Sequence, residues 1–291
     1  MELIWVAVAS LGAIGLLSAL VLYVASKKFA VYEDPRIDKV AEVLPQANCG
    51  GCGYPGCSGF AEACVKAGSL EGKLCPVGGQ PVMTRVASIL GLEASASEPK
   101  VAVVRCNGSC EHRPRITQYD GAVSCAIAHA TYGGETGCSF GCLGCGDCVS
   151  ACQFGAIRIN PETGLPEVNE EACTACGACV KACPRNIIEI RPKGKNNRRM
   201  VVTCVNKDKG ALTRKSCEVG CIGCGKCVKI CPFEAISLEN NLAYIDPLKC
   251  KLCRKCEAEC PQGAIQAINF PPRKSKIESV AETDSKTEVK E

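Results

Sequence analysis

The longest apolar run in the chain is "LIWVAVASLGAIGLLSALVLYVA", residues 3–25, and it contains no charged side chain. Wound as a helix, such a run reaches roughly 34 Å, enough to cross the hydrocarbon core of a bilayer. A secretory signal would have a shorter apolar core, a basic start and a small-residue cleavage site. Here Glu2 precedes the run, while Lys27, Lys28 and Arg36 follow it. The pattern predicts an uncleaved single-pass anchor over residues 1–26. The positive flank puts the bulk of the chain on the cytoplasmic side of the cell (inner) membrane. Beyond the anchor the apolar runs are short. Residues 156–159, 187–190 and 243–245 predict small strands. Residues 174–182 and 251–259 predict short helices, and "SGFAEACVKAG" predicts another.

Polar stretches and repeats divide the remainder. A connector over residues 26–35 leads to a small cysteine-bearing unit at 37–92. "EASASEPK", residues 93–100, reads as a linker. From residue 101 the chain repeats itself, and internal repeats take precedence over other fold assignments. "VVRC" at Val103–Cys106 returns as "VVTC" at Val201–Cys204, and "CSFGCLGCGDCVSACQFGAI" returns as "CEVGCIGCGKCVKICPFEAI". The expected units are 101–192 and 193–270. A tail at 271–291, of mixed charge with little to bury, is expected to be disordered. The expected fold class is α+β: a transmembrane helix, a small cluster-binding domain, then two tandem modules.

Composition changes this picture in one respect. Of 291 residues 27 are cysteine and only 4% are aromatic, so a large aromatic core is excluded and the fold needs staples. Cytoplasmic thiols stay reduced, which points to metal rather than disulfides. A net charge of +4 without an aromatic-interleaved basic stripe does not point to nucleic acid.

Four quartets share the spacing C-x2-C-x2-C-x3-C: Cys142/Cys145/Cys148/Cys152, Cys173/Cys176/Cys179/Cys183, Cys221/Cys224/Cys227/Cys231 and Cys250/Cys253/Cys256/Cys260. Three thiolates on one tight turn reach three corners of an iron–sulfur cube, and the fourth cysteine ligates the neighbouring cube. The expected ligand sets are therefore Cys142, Cys145, Cys148 and Cys183, and Cys173, Cys176, Cys179 and Cys152. In the second module they are Cys221, Cys224, Cys227 and Cys260, and Cys250, Cys253, Cys256 and Cys231. Proline follows three of the quartets, at Pro184, Pro232 and Pro261, and Gln153 replaces it in one. Structural zinc would separate two C-x2–4-C pairs by a longer gap. The spacing resembles the bacterial two-cluster ferredoxin family over both repeats.

"NCGGCGYPGC" supplies Cys49, Cys52 and Cys57, with Cys75 in "KLCPVGG" available as a fourth ligand. Cys64 falls on the predicted helix and reads as a buried side chain. These residues resemble the single-cluster domain of the B subunits of ion-translocating ferredoxin:NAD+ oxidoreductase (Rnf) complexes, in which the fourth ligand precedes a Pro/Ala-Gly-Gly segment. Anchor, single-cluster domain and ferredoxin repeats occur in this order in that family, here in its long form. The resemblance implies an electron-transport subunit of a translocase. It would take electrons from soluble ferredoxin and pass them to membrane subunits that couple transfer to NAD+ with Na+ or H+ movement. It also implies five [4Fe-4S] clusters and no catalytic residues of its own. Flavin and nicotinamide sites would belong to partners, and no Gly-x-Gly-x-x-Gly or Walker loop occurs here.

Seven cysteines remain: Cys64, Cys106, Cys110, Cys125, Cys138, Cys204 and Cys217. Cys106, Cys110, Cys125 and Cys138 form one candidate set for a sixth cluster. The repeat offers another, since Cys106 and Cys138 occupy the positions of Cys204 and Cys217. Reduced, buried thiols are the third reading. His112 and His129 lack ligand spacing and read as ordinary packing or surface residues. Lys226, Lys229, Lys249, Lys251, Arg254 and Lys255, among the last ligands, would steer an acidic ferredoxin or simply be solvated. The rival functions are a polyferredoxin-type wiring subunit of another membrane redox enzyme, and an iron–sulfur protein that senses oxidants or reduces a sensor.

Overall fold

The computed structural model describes residues 2–28, 34–93 and 98–271. The predicted tail beyond residue 271, the middle of the predicted linker and part of the connector lie outside them. Helix α1 (Glu2–Lys28) carries the apolar run. Among its described side chains the large apolar ones from Ile4 to Val24 are exposed, with Trp5 near one end and Tyr23 near the other, where Lys27 lies 5.7 Å from the Tyr23 ring centroid. Aromatic residues at both ends and lysines at one are what a membrane-crossing helix carries at its interfaces.

Three helices follow: α2 (Arg36–Val43), α3 (Gly56–Ala67) and α4 (Gly79–Leu90). Val40, Leu44, Phe60, Ala61, Met83 and Val86 form their common core. Each of α3 and α4 ends on a left-handed glycine, Gly68 (φ 57°) and Gly91 (φ 69°), a usual way to terminate a helix.

The rest of the chain comprises β1 (Lys100–Val104), α5 (Cys125–Thr131), α6 (Asp147–Ser150), β2 (Ile157–Ile159), β3 (Pro166–Val168), α7 (Ala178–Ala182), β4 (Ile188–Pro192), β5 (Arg199–Val202), α8 (Gly210–Ser216), α9 (Lys226–Ile230), β6 (Ile236–Glu239), β7 (Leu242–Ile245), α10 (Lys255–Glu259) and β8 (Ile265–Ile268). The two repeats build the same pattern. An outer pair closes each (β1 with β4, β5 with β8), and an inner hairpin lies within it (β2 with β3, β6 with β7), all antiparallel.

Side-chain alternation along the first strand of each repeat decides how the repeats meet. Successive residues of a strand point to opposite faces. Ala102 and Val104 enter the first repeat's core with Cys148, Ile157 and Ile188. Val101 and Val103 point the other way and pack on Val201 of the second repeat, while Met200 and Val202 enter that repeat's own core.

Charged groups are buried beside this apolar seam. Arg105, Arg191 and Arg199 are nearly inaccessible to solvent. Arg105 donates to the carbonyls of Val202 and Cys204 at 3.4 and 3.3 Å and pairs with Glu189 at 3.3 Å. Arg191 pairs with the same Glu189 and donates to the Met200 carbonyl. Both guanidinium groups lie over the Tyr244 ring of the second repeat, 5.0 and 4.9 Å from its centroid. A buried guanidinium is tolerated only when paired and hydrogen-bonded, so these contacts fix the repeats together.

Candidate iron–sulfur sites

The ligand helices are shorter than the apolar pattern predicts. The helix predicted at 174–182 begins only at Ala178, and that predicted at 251–259 only at Lys255. The residues before them form the ligand loop. The position preceding each of α6, α7, α9 and α10 is left-handed: Gly146, Gly177, Gly225 and Arg254. Glycine takes this conformation freely. Arg254 takes it while paired with Glu257 at 2.8 Å and lying over Phe270. The left-handed step turns the chain sharply after two cysteines and starts a helix that carries the third.

Cys142, Cys148 and Cys183 line one cavity of about 390 Å³. Cys145 adjoins it, hydrogen-bonded to Cys125, which lines the same cavity. Cys152, Cys173, Cys176 and Cys179 surround a second, of about 350 Å³. Cys221, Cys224, Cys227 and Cys260 line a third, of about 380 Å³. In the remaining quartet, burial pushes Cys256 up to about 12, and the neighbouring Cys250 and Cys253 thiols add to the effect. Cys250 is raised too, first by burial, with Cys253 and Cys231 contributing. The last cysteine of each run thus stands with the other run of its repeat. The two sites of a repeat are neighbours: Cys148 acts on Cys179, and Cys227 on Cys256.

Cys49, Cys52, Cys57 and Cys75 line a cavity of about 310 Å³. Asn48 shapes it by accepting the Cys57 amide at 2.8 Å. Cys64 stands apart on α3, fully buried, and loss of solvent pushes its thiol up to about 11. The loop between Cys49 and Cys52 touches the first repeat. A Cβ built on Gly51 would lie 2.8 Å from the carbonyl oxygen of Cys176.

Backbone N–H groups point at several sulfurs: Gly78 to Cys75 (3.3 Å), Ala156 to Cys152 (3.3 Å) and Ala102 to Cys173 (3.5 Å). Such donors stabilise an anionic cluster and tune its potential. Among the described residues no three thiol, imidazole or carboxylate groups converge on a point suited to a single ion. Zinc, at about 2.3 Å from each sulfur, requires such convergence. Four thiols ranged around one cavity, not converging on a point, suit a multi-atom cluster instead.

The set Cys106, Cys110, Cys125 and Cys138 does not come together. Cys110 is exposed, its amide bonded to the Thr163 carbonyl and its sulfur against Gly164, and Cys125 belongs to the cavity of the Cys142 set. The reason is the segment between Cys106 and Cys138, far longer than its counterpart in the second repeat, which carries Cys110 and Cys125 away. Asp147 holds that segment by accepting the Ser124 hydroxyl and the Cys125 and Ala126 amides at 2.8–3.0 Å. Burial raises the Asp147 carboxyl, but the amide and hydroxyl donors outweigh it and hold the group below the usual carboxylate range. Of the histidines, His129 lies on α5 and His112 is exposed beside Glu218 at 3.4 Å.

Fold and thiol sites together define an iron–sulfur electron-transfer protein. A model for a 4Fe-4S dicluster domain matches residues 141–187 and 220–264, another of that description matches 172–236, and one for a putative Fe-S cluster matches 44–77. The chain is 46% identical over 262 residues to the B subunit of the Na(+)-translocating ferredoxin:NAD(+) oxidoreductase complex of Acetobacterium woodii, covering 90% of this chain and 77% of the relative. It is 46% identical to the proton-translocating counterpart of Clostridium ljungdahlii, covering 88% and 89%. It is 43% identical to the B subunit of an ion-translocating oxidoreductase complex of Methanosarcina acetivorans, covering 89% and 96%. The chain belongs to this family of ion-translocating oxidoreductase B subunits.

Proposed function

We infer that this chain is the iron–sulfur electron-relay subunit of an ion-translocating ferredoxin:NAD+ oxidoreductase. In this reading α1 anchors it in the cell membrane, the cluster-bearing domains stand in the cytoplasm, and soluble ferredoxin is the donor. Five [4Fe-4S] clusters, held by the five cysteine sets above, would supply one-electron carriers. The chain's own part is to hold those carriers close, surround them with N–H donors and place the ends of the series.

The observation that carries the reading is the arrangement of those ends. In the second repeat Cys224 and Cys253 are exposed, and so are Lys226, Lys229, Lys249, Lys251 and Lys255, which neighbour these ligand runs in sequence; in this reading they form the distal, donor-facing end. Apolar Phe233 and Leu248 are also exposed on this module. Such a surface fits an acidic redox partner, with lysines for steering and apolar side chains for contact. Arg254 faces inward, on Glu257 and Phe270. At the other end the Gly51 loop carries the series into the membrane-proximal domain. The membrane partners would move Na+ or H+, the ions the relatives' names specify.

The test is Cys57→Ser in the purified complex. Reduced ferredoxin should still bleach the distal clusters, whereas NAD+ reduction should stop. Loss of the initial bleaching would overturn the proposed direction.

A further inference from the structure

We propose that Cys106, Cys138, Cys204 and Cys217 hold a sixth iron–sulfur cluster, seated between the two repeats with two ligands from each. The proposal extends the relay reading and rests on it for the identity of the metal.

These four thiols line one cavity of about 330 Å³, comparable with those of the other cysteine sets, about 310–390 Å³. They occupy equivalent repeat positions, Cys106 with Cys204 and Cys138 with Cys217. Neither repeat can complete the site alone, yet the contact between repeats assembles it. The Asn107 amide donates to the Thr203 carbonyl at 3.2 Å and the Glu218 amide to the His112 carbonyl at 3.1 Å, which aligns the segments bearing the ligands.

The surroundings are built for an anion. The Asn206 amide points at Cys204 Sγ (3.4 Å) and its side-chain Nδ2 at Cys138 Sγ (3.6 Å). Asn206 is almost fully buried, where an amide side chain needs partners. Arg113 lines the same cavity, 8% exposed, and its Nε and Nη1 are buried without a hydrogen-bond partner. An unpaired buried guanidinium is among the costliest groups a fold can hold, and a negatively charged thiolate cluster beside it would supply the missing counter-charge. Arg185 stands on the same side, donating to the carbonyls of Cys138 and Gly141 at 3.1 and 2.5 Å. Zinc is the competing occupant, but the four thiols do not converge on a point. Ligation would release the thiol protons to solvent, as metal binding to cysteine does.

The position is also informative. The Cys221 amide reaches Cys204, and Cys142 lies near Cys106. The cavity therefore stands between the Cys221 set of the second repeat and the Cys142 set of the first. A carrier there would join two pairs of clusters into one continuous series.

The experiment is an iron and acid-labile sulfide count on the full-length chain, solubilised and reconstituted anaerobically with iron and sulfide. Six four-iron clusters give about 24 iron atoms per chain, and five give about 20. The wild type should give about 24. Cys106→Ser with Cys217→Ser, and separately Cys138→Ser with Cys204→Ser, should each give about 20. Cys110→Ser and Cys125→Ser should stay near 24. A wild-type count near 20, with or without one zinc, overturns the site while leaving the five-cluster relay intact. A chain that takes up no iron overturns the relay as well. If a double variant fails to fold, the wild-type count decides. Arg113→Gln should keep about 24 iron atoms and lower the midpoint potential of one cluster in a redox-titrated EPR series, with Arg113→Lys restoring it. Unchanged potentials throughout would show that Arg113 faces no cluster.

Discussion

Gly51 has no side chain where one would collide with its neighbour: a Cβ there would meet the Cys176 carbonyl oxygen at 2.8 Å and the Cys176 Cα at 3.0 Å. Its φ is not in the left-handed region, so what a side chain would meet there is this close approach, together with Pro76 Cγ at 3.0 Å. Gly51→Val should therefore force the membrane-proximal loop off the first repeat, at a cost of about 1–3 kcal/mol for overpacking. Iron content should stay the same, while electron delivery beyond the Cys173 set slows. Anaerobic stopped-flow with ferredoxin and NAD+ checks this. An unchanged rate would mean that electrons leave by another face. Asp147 is the other residue with an unusual task. It caps α5 from outside that helix, so Asp147→Ala should release the Cys125 and Ala126 amides. Loss of such a cap costs about 1–2 kcal/mol, visible as faster hydrogen exchange confined to α5.

Among the elements, β2, β4 and β7 were readable as short apolar runs because their physics is local. β1 and β5 were legible only as a repeated sequence, since "VVRC" and "VVTC" by themselves are too short and too mixed to mark strands. The alternation of Val101 and Val103 against Ala102 shows why both faces are needed: one serves a repeat's core, the other the seam. The ligand helices were read too long because composition around Cys173 and Cys250 favours helix, whereas left-handed steps at Ala175, Gly177, Leu252 and Arg254 hold loops open for the sulfurs. If the cysteines of the second repeat hold clusters, the β6–β7 hairpin should depend on them. Cys227 and Cys256 share a core with Ile236, Ala243 and Ile245. Stripping iron with a chelator should leave an unfilled void in that core and melt β6 and β7, an effect that near-ultraviolet circular dichroism would register. A hairpin that survived unchanged would show that its apolar contacts suffice alone.

Over the whole molecule, the evenly spaced quartets were legible because ligand spacing is written in consecutive residues. The inter-repeat cavity was legible only as one of three readings. The repeat pairs Cys106 with Cys204 and Cys138 with Cys217, but only the packing of β1 on β5 tells Cys204 from Cys110 as the companion of Cys106. The lysines among the last ligands were legible as composition, and burial then separated Arg254 from them. If these lysines steer ferredoxin, Lys249→Glu, Lys251→Glu and Lys255→Glu together should cut the second-order rate of reduction by about tenfold or more at low salt. The difference should shrink as ionic strength rises. A rate indifferent to both would place docking elsewhere.

Tyr244, beneath the guanidinium groups of Arg105 and Arg191, has a consequence for how the molecule comes apart. Because each repeat contributes what the other must cover, heat or denaturant should meet the two repeats as a single cooperative body rather than beads on a string. A gene fragment encoding one half alone should yield a polypeptide whose guanidinium groups keep Glu189 but lose their carbonyl and ring partners, or one with a bare aromatic where its twin belongs.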